Sequence, residues 1–111
     1  MERIVVVSKL LPDSERELGG IFAKADATDL PEITGVRHRS LYQLGDLFVH
    51  LMETDAFDPA RMAAARAHPS FREVEAALTR CTSPYLPTWQ SPKDAMASRF
   101  YRWDAPGGTR G

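Results

Sequence analysis

With 111 residues, the chain can bury one hydrophobic core and not two, and 43% hydrophobic with 26% charged residues is the composition of a folding globular domain. Fourteen Lys and Arg against fifteen Asp and Glu give a net charge of -1, and the scattered basic residues exclude an electrostatic footprint for nucleic acid. The apolar run at residues 4–7 is too short for a signal segment or a membrane span, and a single cysteine, Cys81, excludes an internal disulfide, so a cytoplasmic protein is expected.

Residues 3–9, Arg-Ile-Val-Val-Val-Ser-Lys, form a β-branched run that predicts a buried first strand. Ser14-Glu15-Arg16-Glu17 has the form of a capping box, Ser14 taking an orphan N–H and Glu17 reaching back. The helix that follows carries an apolar stripe of Leu18, Ile21, Phe22 and Ala25, with Glu17 and Lys24 toward water. Gly19-Gly20 weakens it by roughly 1 kcal/mol per glycine, so packing must hold it or it bends there. After a turn-rich stretch at residues 26–31, residues 33–42 predict a long strand. Gln43-Leu44-Gly45-Asp46 predicts a tight hairpin turn into a third strand over residues 47–53. Asp58-Pro59 opens a short helix, and Pro69 a second one running to Cys81 with Phe71, Val74, Ala77 and Leu78 inward. Pro84, Pro87 and Pro92 send residues 83–92 over the surface or across a pocket mouth. Residues 97–103 predict a last strand, and residues 107–111 a frayed end.

The order β, α, β, β, α, β is that of an α+β, ferredoxin-like domain: a four-stranded antiparallel sheet with helices on one face. Residues 1–104 are assigned to this one domain and 105–111 to a flexible tail. The other sheet face, bearing Val5 or Val7 and Phe100 or Tyr101, needs covering. A homodimer that joins two such faces into an α+β barrel supplies the cover.

The hairpin carries the strongest candidates for chemistry. If its turn is centred on Leu44-Gly45, Arg39 lies directly opposite His50 on one face, about 5 Å apart at Cβ, and alternation adds Arg37 to that face. Such a wall can move protons through a neutral His50, whose charge two arginines disfavour, while Arg39 stabilises a developing oxyanion. The alternative, weighted equally, is that the arginines pair with Glu53 or Asp46 and His50 is a satisfied core residue. Asp26 either orients a site histidine or arginine or is an ordinary turn acid. His68, just before Pro69, reads mainly as a cap, with a lesser reading as a site residue. Tyr101 and Trp103 read as core or dimer filling, or else as walls for a polycyclic ligand. No nucleotide-binding or zinc motif is present, and alternation puts His38 and His50 on opposite faces, so no metal is expected.

Several segments together resemble a known family. Asp29-Leu30-Pro31, Gly35 through Tyr42, Asp46-Leu47 and His50-Leu51 are similar to the tetracenomycin-type polyketide cyclases of streptomycete aromatic polyketide pathways. So are Ala67-His68-Pro69-Ser70-Phe71, Pro84-Tyr85 and Phe100-Tyr101-Arg102-Trp103. Residues 88–96 are more similar to the branch associated with angucycline and related multi-ring products. The resemblance implies a dimeric fold, no cofactor and a polyketide intermediate as substrate. The reaction it implies is a late aldol ring closure with dehydration, with transient contacts to other pathway enzymes. By similarity Asp26, Arg39 and His50 match active-site positions; Arg37, His68, Tyr101 and Trp103 are expected, from their own placement along the chain, to contact substrate. Members with a His-Asp pair at the end of the first helix have histidine where this chain has Ala25, which leaves Arg39 and His50 to carry more of the work. Two rivals stand beside this reading: a cofactor-free anthrone-type monooxygenase of the same fold, and a non-catalytic polyketide-binding protein.

Overall fold

A computed structural model describes residues 2–55 and 58–107. Four strands form one antiparallel sheet in the order β2-β3-β1-β4. Strand β1 (Glu2–Leu10) is central, β2 (Val36–Leu44) and β3 (Leu47–Thr54) make the hairpin, and β4 is the short Thr82–Pro84. Helices α1 (Glu15–Asp26), α2 (Leu30–Thr34), α3 (Pro59–Arg66) and α4 (Pro69–Cys81) complete the fold. No described helix is long and apolar enough to cross a membrane.

The helices lie on one face because the pleat delivers one apolar set to them. Leu10 and Phe48 from the sheet pack with Leu18 and Phe22 of α1 and with Ala77 and Cys81 of α4. A second cluster of Ala25, Leu30 and Ala65, flanked by Ile33, Phe71 and Val74, joins α1, α2 and α3. Salt bridges Glu17–Arg80 and Lys24–Glu73 clip α1 to α4 at the solvent edge. This packing keeps α1 continuous through Gly19-Gly20.

Four expectations need correction. Ser14 and Glu17 do not form a capping box: the Ser14 hydroxyl reaches only the Pro12 carbonyl, at 3.5 Å, and Glu17 is taken by Arg80. The second strand starts at Val36 rather than residue 33, because residues 30–34 are helical and Gly35, at φ +83, ends that turn. Glycine is required there sterically as well, since a Cβ would lie 3.0 Å from Arg61 Nη1 and 3.2 Å from Asp55 Cβ.

The third correction is the hairpin register. Leu44 pairs with Leu47, so the turn residues are Gly45 and Asp46, and Leu41 rather than Arg39 stands opposite His50. Gly45, at φ +59, takes the first central position, as a two-residue hairpin turn with glycine leading demands.

The fourth is the last strand. Its place on the β1 edge is filled by Thr82–Pro84 immediately after α4, with Ser8 opposite Pro84 and Leu10 opposite Thr82. Of the later segment, Met96 bridges Val6 and the Ala97 N–H donates to Val5 O at 2.7 Å. From there to residue 105 the chain is irregular, and Phe100 is 98% exposed. Of the end expected to fray, residues 108–111 lie outside the described residues.

Candidate active site

The pleat sends Phe48, His50 and Met52 of β3 and Arg39 and Leu41 of β2 toward the helices. His50 is buried there. Its ring meets Phe22 of α1 edge-on, with centroids 5.0 Å apart, and stacks at 6.4 Å on Phe48. Arg39 is diagonal to it across the hairpin, near enough for Nη1 to sit 2.9 Å from His50 Nε2. The guanidinium is then gripped side-on by Asp26 at the end of α1. Nε donates to Oδ2 and Nη2 to Oδ1, both at 2.9 Å, the paired geometry that makes such bonds strong. The Arg39 side chain is only 15% exposed, and Asp26 forms the more open side at 35%.

These contacts fix protonation. Arginine can only donate, so His50 Nε2 must be the bare nitrogen and Nδ1 carries the hydrogen. Burial first, and the Arg39 charge second, push the His50 pKa from 6.5 down to about 4, against a smaller upward pull from Asp26. The imidazole is therefore neutral at pH 7. Three of the five Arg39 N–H groups are committed, one to His50 and two to Asp26. Two remain free among the described residues for an incoming oxygen. The cluster thus presents a fixed cation with two free N–H groups, which suits stabilisation of oxygen-centred negative charge.

Asp26, Arg39 and His50 come together, and the other sequence candidates lie elsewhere. Arg37 sits at a bulge between Val36 and His38, which breaks the alternation. Its guanidinium pairs with Asp55 through two bonds of 3.2 and 3.1 Å. His68 caps α4: Nδ1 accepts from the Ser70 N–H at 3.0 Å, and Nε2 donates to Asp29 at 2.8 Å. Tyr101 and Trp103 are 74% and 67% exposed on the irregular C-terminal segment. Neither of two open depressions is lined by the cluster. One, of about 210 Å³, lies between Val7, Tyr85, Trp89 and Met96. The other, of about 390 Å³, lies by Leu10, Gln43 and Gly45.

The sequence assigns Phe22 to the core alone, yet Arg39 Cζ lies 4.8 Å from the centre of its ring. The signal was available: Phe22 and Asp26 are four residues apart and so share a face of α1.

Residues 2–104 match the family model for polyketide synthesis cyclases. Tetracenomycin F2 cyclase of Streptomyces glaucescens is 38% identical over 104 residues, covering 94% of this chain and 95% of that one. Its solved structure superposes with a TM-score of 0.83, covering 96% of this chain and all of that one. The polyketide synthase CurG of Streptomyces cyaneus is 36% identical over 105 residues, covering 94% and 98%. SnoaB, a cofactor-independent oxygenase of Streptomyces nogalater, shares the fold at a TM-score of 0.51 with 16% identity, covering 82% of this chain and 97% of that one.

Proposed function

The chain belongs to the polyketide synthesis cyclase family, and from that premise we propose that it closes a ring on a partly cyclised aromatic polyketide by intramolecular aldol condensation and dehydration. The observation that carries this reading is the Asp26-held Arg39, with two free N–H groups, against a buried neutral His50. In the reaction a methylene between two carbonyls loses a proton, and the enolate carbon attacks a ketone carbon. The alkoxide then takes up a proton, and loss of water aromatises the new ring. Arg39 holds the oxygen on which negative charge grows, and Asp26 fixes the guanidinium. When a substrate oxygen draws Arg39 Nη1 away, the Nε2 lone pair of His50 is released and accepts the methylene proton. The base is thereby idle until a ketone is seated. Holding a floppy polyketone in one attack geometry supplies much of the remaining rate.

The working form in this reading is a homodimer whose helix-free sheet faces meet. The test is to supply the purified chain with partly cyclised polyketides under argon and to identify the product by mass and NMR. A dehydrated, ring-closed product is expected. Oxygen-dependent oxidation in its place would move the protein to the oxygenases that share its fold. Arg39→Ala is expected to lower kcat by about a hundredfold. Arg39→Lys is expected to rescue little, because it keeps the charge and loses the side-on grip. Unchanged turnover in Arg39→Ala and His50→Ala would leave a binding protein.

A further inference from the structure

We infer that Phe22 is a positioning residue for ring closure, holding the Arg39 guanidinium and the His50 ring in mutual contact through its aromatic face and edge. The inference rests on the cyclase reading above and assigns the site a third support from α1. Two in-plane hydrogen bonds to Asp26 fix where the guanidinium edge lies, but they leave it free to tilt about the axis joining the two groups. A surface against its face stops that tilt. Phe22 supplies one: Arg39 Cζ is 4.8 Å from the ring centroid, within the range where the negative face of the ring attracts a cation. The same ring meets His50 at 5.0 Å with an interplanar angle of 65°, the edge-to-face arrangement aromatic pairs favour. Phe22 is 4% exposed, so its contact also keeps water from the Arg39–His50 hydrogen bond, where a drier setting strengthens it. One turn of α1 therefore grips one arginine from two directions, by carboxylate at Asp26 and by π face at Phe22.

The experiment separates this role from core filling. Phe22→Leu keeps an apolar side chain and removes the ring. Replacing Phe22 by pentafluorophenylalanine keeps the ring's shape and reverses its quadrupole. Each is measured in the free protein by NMR titration of His50 and by hydrogen exchange at Arg39 Nε, and then by steady-state ring closure. In both variants the His50 pKa is expected to rise as the Arg39 charge moves off it, less in the fluorinated protein, which keeps the burial that is the larger cause of the depression, and Arg39 Nε–H is expected to exchange faster. A loss in kcat of about tenfold with KM nearly unchanged should accompany this. Should the leucine variant unfold, the fluorinated protein carries the test alone. A native His50 titration and native Arg39 exchange in the fluorinated protein would overturn the inference, as would altered NMR behaviour with undiminished kcat. If the unaltered chain closes no ring on any polyketide, the cyclase reading fails separately, and the two NMR measurements still decide whether Phe22 holds the pair.

Discussion

Burial and a neighbouring guanidinium act on the His50 imidazole in the same direction, and that has consequences for pH. Folded, the group stays neutral down to about 4; unfolded, it binds a proton below about 6.5. Between those values the unfolded chain holds more protons, so stability falls as pH drops through this window and is fully present above it. The shift corresponds to on the order of 3 kcal/mol. Denaturant titrations at steps from pH 7.5 to 4.5 should show this decline. His50→Phe, which keeps the packing against Phe22 and Phe48, should flatten it, and an equal slope in both proteins would show that His50 is not its source. The same reasoning places the acidic limb of kcat/KM well below the value expected of an ordinary histidine. A limb near 6.5 would mean that the imidazole is solvated in the working enzyme.

Helix α1 bears most of the site's geometry, since Phe22, Ala25 and Asp26 all lie in its last turns, yet it contains two glycines. A Cβ at Gly20 meets nothing within 4 Å, so packing does not require this glycine. Gly20→Ala should stabilise the protein by about 0.5–1 kcal/mol, read as a rise of a few degrees in thermal midpoint; a fall would reveal a bend that the helix needs. The element pattern was legible in the sequence because local signals repeat: a β-branched run for β1, apolar spacing for α1 and α4, a proline at the start of α3 and α4. The hairpin was legible as a hairpin, but its register depends on which residue takes positive φ. Gly45 takes it as the first turn residue, which moves each pairing by two and leaves every side chain on its expected face. The Arg39–His50 contact is therefore diagonal rather than direct. A shift by one would have buried Ser40 and exposed Arg39. Arg37 was misplaced because alternation assumes an unbroken ladder, and a bulge is a tertiary decision. The last strand was misplaced because composition cannot say which of two segments wins an edge. Thr82–Pro84 wins by following directly from α4, where the Thr82 hydroxyl donates to Leu78 O at 2.6 Å.

For the whole molecule, the consequence of that lost edge is an aromatic arm. Beyond Ala97 the chain leaves β1 with Phe100, Tyr101 and Trp103 at 98%, 74% and 67% exposure. The radius of gyration is 14.8 Å, against about 13 Å for a compact domain of this length. Exposed aromatics of this size bring on the order of 400 Å² per arm. Two arms in a twofold dimer would then contribute about half of the roughly 1,600 Å² that a standard stable interface buries. The helix-free face adds to this, for Val5, Val7, Val49 and Leu51 are only partly covered and Tyr42 and Leu44 are 56% and 78% exposed. The proposed homodimer thus has both an apolar sheet face and an apolar strap available on each chain. A strap docked on the second copy also offers a route by which Tyr101 or Trp103 wall a pocket they do not touch within their own chain. Sedimentation of the full chain should give a dimer. Phe100→Ala with Trp103→Ala should weaken it by about a hundredfold, the scale of losing central aromatic anchors, while circular dichroism of the sheet and helices stays unchanged. A full-length monomer at micromolar concentration would remove the dimer from the mechanism. A variant that dimerises as tightly as the native chain would assign the interface to the sheet face alone.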